Sequence, residues 1–304
     1  MRLKSIVPWL KGFFTVRNLV IAIPMVWLFA LAAAPLLLVL DISLAHMNVT
    51  SVSSLWQWAD DELTLKFNFG NYLYLGQDSL YFDTYVSSLK FAALTTLYCL
   101  VVGYPFAYFI SRAPAHLRTI LLMLVMLPFW TSFLLRIYAW KALLADNGVV
   151  NNGLIGLGVI ASPIHMMHTS FSLTIGMVYA YLPFMVLPLY ATLVKLDGRM
   201  LEAAADLGAS PLKTFWLVTV PLTKRGIIAG SLLVFIPAFG EYVIPELLGG
   251  ARTLMIARVL WDEFFSNNDW PMASAVTIVM ILLILVPMAL FNRYNDETKL
   301  GEKS

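Results

Sequence analysis

Two groups of residues in this sequence have the types and spacing to do chemistry. Glu241 and Glu246 are the only charged residues in the apolar stretch 226–248. A carboxylate at the centre of a membrane costs about 2.5–3.5 kcal/mol on insertion scales. Keeping one there points to a task. Either it receives a cation along a route, or it pairs internally with a group such as Arg136 or Lys90. Tyr242 lies between the two carboxylates and joins them as a candidate lining residue. The second group is Glu202 and Asp206, one helical turn apart, flanking the small residues Ala203, Ala204 and Ala205. On a helix this is an acidic edge beside a surface that another molecule can approach closely. No other constellation stands out. There is no P-loop, no HExxH pair and no Cys/His cluster, so no catalytic residue and no metal ligand is assigned, and no cofactor is expected on this chain. His165 and His168 read as loop residues, and the single cysteine, Cys99, has no partner for an internal disulfide.

The composition says what must position these groups. The 304 residues are 60% hydrophobic and 12% charged, with a mean hydropathy of +0.79. An ordinary soluble domain carries about 25% charge. So little charge cannot cover a water-facing surface of this size, and lipid is the expected surround. The net charge of +2 gives no field for a polyanion, and nucleic acid is excluded as a partner.

Six segments are long and apolar enough to cross a hydrocarbon core of about 30 Å. They are 18–40, 85–110, 119–144, 169–194, 226–248 and 270–292. The first exceeds the about 7–15 residues of a signal-peptide core, so it is expected to be retained. Lys and Arg set the orientation. Arg2, Lys4, Lys11 and Arg17 precede the first span, and Arg112 and Arg118 follow the second. Lys195, Arg199, Lys213, Lys224 and Arg225 follow the fourth, and Arg293, Lys299 and Lys303 follow the sixth. The opposite side has only Lys66, Arg252 and Arg258. Both termini, 1–17 and 293–304, are therefore expected in the cytoplasm. The outer loop 41–84 holds Asp41, Asp60, Asp61, Glu62, Asp78 and Asp83. Its acidity either complements the inner positive charge or forms a vestibule for something cationic. Its length, about 44 residues, leaves room for short helices.

The cytoplasmic loop 195–225 has the clearest local pattern. Asp197 suits a helix N-cap, and Met200, Ala204 and Leu207 recur at helical spacing. Gly208 sits where a helix end takes a left-handed residue. Ser210 and Pro211 then open a second helix. In the fifth span, Pro237, Gly240, Pro245 and the Gly249-Gly250 pair interrupt the helix. Broken helices with ionisable groups mark substrate routes in transporters. Residues 253–270 read as an outer-face helix.

At Glu202-Ala203-Ala204, Gly208 and Val218-Thr219-Val220-Pro221, the chain resembles the permease subunits of bacterial ABC importers. The family pattern ends in Ile-x-Leu-Pro, and the two valines here depart from it conservatively. Gly240-Glu-Tyr-Val-Ile-Pro-Glu-Leu-Leu-Gly-Gly250, Leu260-Trp-Asp-Glu-Phe-Phe265 and Asn268-Asp-Trp-Pro-Met-Ala-Ser-Ala275 look like the polyamine (putrescine/spermidine) branch.

The resemblance implies an all-α polytopic membrane protein with the six-helix type I importer permease fold, in the bacterial inner membrane. It implies a coupling helix at Glu202, Ala203, Ala204, Asp206 and Gly208 that docks on an ATPase. The broken span points to a substrate pathway that includes Glu241, Tyr242 and Glu246. The expected partners are two ATPase subunits that bind ATP-Mg, a second homologous permease, a substrate-binding protein at the periplasmic face, and the lipid bilayer. The expected function is ATP-driven import of putrescine or spermidine by alternating access. The alternative is an importer for another small solute, such as an amino acid, a sugar, iron or an inorganic anion.

Overall fold

The computed structural model describes residues 16–47, 56–59, 62–65 and 67–301. Arg2, Lys4, Lys11, Asp60, Asp61, Lys66 and Lys303 lie outside the described residues. Helices dominate, and the described residues group into two compact units.

The first unit comprises residues up to 75 together with 263–279. It contains α1 (Val16–Ser43) and a short antiparallel hairpin, β1 (Trp56–Ala59) with β2 (Glu62–Leu65). Trp56 pairs with Leu65, and Ala59 with Glu62. The acidic loop 41–84 thus holds a hairpin as well as a helix, α2 (Gly70–Gln77). The last carbonyls of α1 lack helical partners and need other donors. Asn71 supplies its side-chain amide to Ser43 O at 3.0 Å and to Ala45 O at 3.2 Å. Ser43 and Tyr72 share a hydroxyl–hydroxyl bond of 2.7 Å. The apolar side chains of α1 lie open, Trp27 at 68% and Phe29 at 72%. A helix with no polar face and no cover requires lipid or another protein around it.

The second unit comprises 76–262 and 280 onward. Its core is α3 (Ser79–Arg112), α7 (Ser170–Leu193) and α11 (Lys224–Phe239). Asp78 caps α3 through Leu80 N–H at 2.8 Å. Thr169 and Ser172 form a capping box at the start of α7. The seam is filled by Ala92, Cys99 and Ala107 from α3, by Met177, Met185 and Leu189 from α7, and by Val234 and Ala238 from α11, all buried. Gly226 and Gly230, four residues apart on α11, let it approach α7 closely. A Cβ at Gly226 would lie 2.2 Å from Thr192 Oγ1, and one at Gly230 would lie 2.8 Å from Met185 Sδ.

Among the described residues four helices are long and apolar enough to cross a membrane: α1, α3, α7 and the last helix. Two bent pairs of helices are long and apolar enough when each is taken together, which makes up to six if each pair is one span. The segment read as the third span is not one straight helix. α4 (Ala115–Met126) runs through a 3-10 turn, Leu127–Trp130, and then bends by 88° into α5 (Phe133–Leu144) and α6 (Val149–Gly156). Pro128 removes a backbone donor where the α-helix stops. The loop 195–225 contains α8 (Gly198–Asp206), α9 (Pro211–Thr214), a π-helical turn at Phe215–Thr219, and α10 (Val220–Leu222). Pro211–Leu222 meets α11 at 68°. Sixteen residues of α11 rise about 24 Å, short of a full crossing. The outer half, α12 (Val243–Leu248), starts after a break at Gly240 to Tyr242. Then come a 3-10 turn (Ala251–Thr253), α13 (Ile256–Trp261), a π turn (Asp262–Ser266) and α14 (Trp270–Gly301).

Candidate functional site

The loop 195–225 folds by its own local chemistry. The Asp197 side chain accepts from Arg199 N–H at 3.0 Å and starts α8. The helix ends on Gly208, whose φ of +79° is the left-handed region. Gly208 N–H then reaches Ala205 O at 2.8 Å, and Ala209 N–H reaches Ala204 O at 3.0 Å. These two bonds close the Schellman arrangement and satisfy carbonyls that the helix end leaves open. Ser210 accepts from Lys213 N–H at 3.4 Å and opens α9 with Pro211 at its first position.

No residue of α8 is buried. Glu202, Ala203, Asp206 and Gly208 are exposed, and Ala204 is half-buried. Leu207 is 89% exposed, and Leu212 and Leu217 are exposed as well. Exposed apolar residues on a loop that also carries exposed acids make it a candidate protein-docking surface.

Behind this surface a contact not anticipated from the sequence leads into the membrane. Phe215 in the π turn sits edge-on to Tyr104 at 5.3 Å and to Tyr108 at 6.2 Å, both on α3. The Tyr104 hydroxyl shares a buried bond of 2.8 Å with Thr223 Oγ1 at the start of α11. A buried tyrosine hydroxyl needs such a partner, and that need is the one signal the sequence offers for it.

The broken span holds the other candidate residues. Glu241 is 8% exposed. Its carboxylate accepts from Val243 N–H at 2.9 Å, from Ile244 N–H at 3.2 Å, and from the Tyr181 hydroxyl on α7. Neither Arg136 nor Lys90 is among its partners. The Arg136 guanidinium lies over Phe129 at 5.2 Å and Phe133 at 5.5 Å.

Tyr242 and Glu246 face a different set of groups. Tyr242 stacks on Trp261 with centroids 4.6 Å apart and planes at 16°. Glu246 is ion-paired with Arg258 Nη1, and Arg258 Nε lies 3.8 Å from Asp262 Oδ2. Glu246 and Arg258 are each 36% exposed at the side chain, and Asp262 is 50% exposed. The break therefore presents two carboxylates, one guanidinium and two stacked rings on an accessible face. The sequence marked Tyr242 and Glu246 but not Trp261, Arg258 or Asp262, because only the turn at Gly249-Gly250 folds α13 back beside α12. His168 helps to hold that turn, its Nδ1 lying 2.9 Å from Gly249 O. Among the described residues no group of His, Cys, Asp and Glu could hold a metal ion.

Comparison with known proteins agrees with this architecture. Residues 99–299 match the family described as binding-protein-dependent transport system inner membrane component. The chain is 45% identical over 253 residues to the spermidine/putrescine transport system permease protein PotB of Escherichia coli (strain K12), covering 82% of this chain and 92% of that one. It is 39% identical over 279 residues to the PotB of Haemophilus influenzae, covering 92% and 94%. Among solved structures, a chain of a bacterial ABC transporter involved in the import of the acidic polysaccharide alginate superposes with a TM-score of 0.70 at 15% identity, over 95% of this chain and 99% of that one. That likeness concerns the fold alone. With several long apolar helices, a family match over most of its length and relatives of this closeness, the chain belongs to the binding-protein-dependent inner membrane component family and is a permease subunit of an ABC importer.

Proposed function

We propose that this permease carries a polyamine, putrescine or spermidine, into the cytoplasm by alternating access across six membrane crossings. The reading rests chiefly on 45% identity to a spermidine/putrescine permease over nearly all of that protein's length. The chemistry of the break supports it. Glu246 and Asp262 supply negative charge, and the stacked Tyr242 and Trp261 rings supply π faces. Ammonium groups favour both. Arg258 neutralises part of this charge while no substrate is present. Tyr242 and Glu246 line the route, with Glu241 directly behind them.

The chain pairs with a second, related permease. Of two ATPase subunits carrying ATP-Mg, one engages Glu202, Ala203, Ala204, Asp206 and Gly208, and a substrate-binding protein delivers solute at the outer face. ATP binding closes the ATPases, the coupling helix moves, and the bundle opens outward. Hydrolysis returns it inward.

The test is uptake by the complete complex in proteoliposomes, with labelled putrescine and spermidine competed by an amino acid, a sugar, an iron chelate and sulfate. Saturable polyamine uptake that only polyamines inhibit is expected. Uptake of one of the other solutes, with polyamines inert, would reassign the substrate.

A further inference from the structure

We propose that Glu241 is a positioning residue, a carboxylate latch that fastens the outer half of span five to span four, and that it does not touch the transported solute. Its Oε1 accepts from Val243 N–H at 2.9 Å and Ile244 N–H at 3.2 Å. These are among the first N–H groups of α12, which have no carbonyl within the helix to bond. Its Oε2 accepts from the Tyr181 hydroxyl of α7. Both oxygens are thus engaged by this chain, at 8% exposure. Little of the group remains for a passing ammonium.

The other end of α12 is held in the same way. The Ser172 hydroxyl of α7 donates to Leu248 O at 2.8 Å. Between the two ends, Ile244 and Leu248 lie fully buried. They press on Gly176, where an added Cβ would sit 2.5 Å from Leu248 Cδ1 and 3.1 Å from Ile244 Cγ2. A helix of six residues has no stability of its own. Three points on α7, at Tyr181, Gly176 and Ser172, supply it. The consequence is mechanical. α12 carries Glu246, and Tyr242 immediately precedes it, so the latch ties the position of these groups to α7.

The latch needs an acceptor at residue 241, not a charge. In Glu241→Gln the amide oxygen still caps Val243 and Ile244, and its NH2 turns toward Tyr181. The Tyr181 hydroxyl can then donate to Pro237 O, which lies 3.5 Å away. Glu241→Ala removes the cap and the tie together, and Tyr181→Phe removes the tie alone.

The experiment uses the assembled complex in nanodiscs. Amide hydrogen exchange is followed over 243–248, together with KM and maximal rate of labelled putrescine uptake. Exchange in Glu241→Ala should be faster by at least about tenfold, as expected when amides lose a charged acceptor. Tyr181→Phe should show a smaller acceleration, and Glu241→Gln should stay within about threefold of the native rate. Glu241→Gln should keep its KM, while Glu241→Ala and Tyr181→Phe lose maximal rate. If Glu241→Ala does not assemble, Glu241→Gln and Tyr181→Phe decide. A KM raised about tenfold or more in Glu241→Gln, with exchange over 243–248 unchanged in Tyr181→Phe, would make Glu241 a solute contact and overturn the latch. The uptake half rests on the substrate reading above, whereas the exchange half does not. Native complex that moves no polyamine would fail the substrate reading and leave the exchange result to judge the latch.

Discussion

Glu202 and Glu241 are both acids within motifs, yet their surroundings are opposite. Glu202 is exposed on a helix with no buried residue. It is free to meet a partner's cation. Glu241 is enclosed by donors from its own chain. Charge reversal separates the two kinds of site. Glu202→Lys should cut ATP-driven uptake by at least about tenfold, because a like-charge contact at a docking surface costs several kcal/mol. Membrane insertion of the chain should be unaffected. Co-purification of the ATPase subunits with the variant, alongside uptake, measures this. Normal uptake with the ATPases still bound would remove Glu202 from the coupling contact. At this scale the sequence shows that a carboxylate in an apolar span needs partners, but not which ones. Tyr181 lies 60 residues away in the chain, and no local pattern points to it, while Arg136, the nearer guess by type, is taken up by Phe129 and Phe133.

At the scale of elements, local chemistry and packing divide the work. The turn between α8 and α9 follows from Asp197, Gly208, Ser210 and Pro211, each acting on backbone within three or four residues of itself. It was therefore legible in the sequence. The π turn at Phe215–Thr219 was not, since it answers to Tyr104 and Tyr108 on another helix. The breaks in spans three and five were partly legible. Proline and glycine marked the fifth, whereas the 88° bend after Trp130 has only Pro128 to announce it. Close packing of α11 on α7 depends on a missing side chain. In Gly226→Ala the new Cβ would meet Thr192 Oγ1 at 2.2 Å and Pro188 O at 2.9 Å. Backbone cannot yield as a flexible side chain can. The expected cost is about 1–3 kcal/mol, the range for overpacking, and it should appear as a lower Tm of the purified complex. An unchanged Tm would mean that the two helices separate without penalty.

For the whole molecule, the distribution of charge and the exposure of apolar surface agree on a membrane setting. The proposed six crossings can be tested directly, because the chain's single cysteine, Cys99, is fully buried. Membrane-impermeant maleimide should therefore report only cysteines that are introduced. Lys195→Cys should label only from the cytoplasmic side, and Ala161→Cys only from the outer side. Both positions are exposed. Labelling of both from one side would remove a crossing between them and break the topology.

The sequence by itself determined that this chain lives in lipid, how its basic and acidic residues are sorted among the loops, and where a short acidic helix begins and ends. Those features depend on hydropathy, charge counts and caps, which act on neighbouring residues or on the solvent, so they are written along the chain. Only the tertiary structure decided which carboxylate is enclosed and which is presented. Glu241 and Glu246 are five residues apart in one broken span and look alike on paper. They differ because α7 folds against one and α13 against the other, and a carboxylate's role is set by the donors that reach it through space.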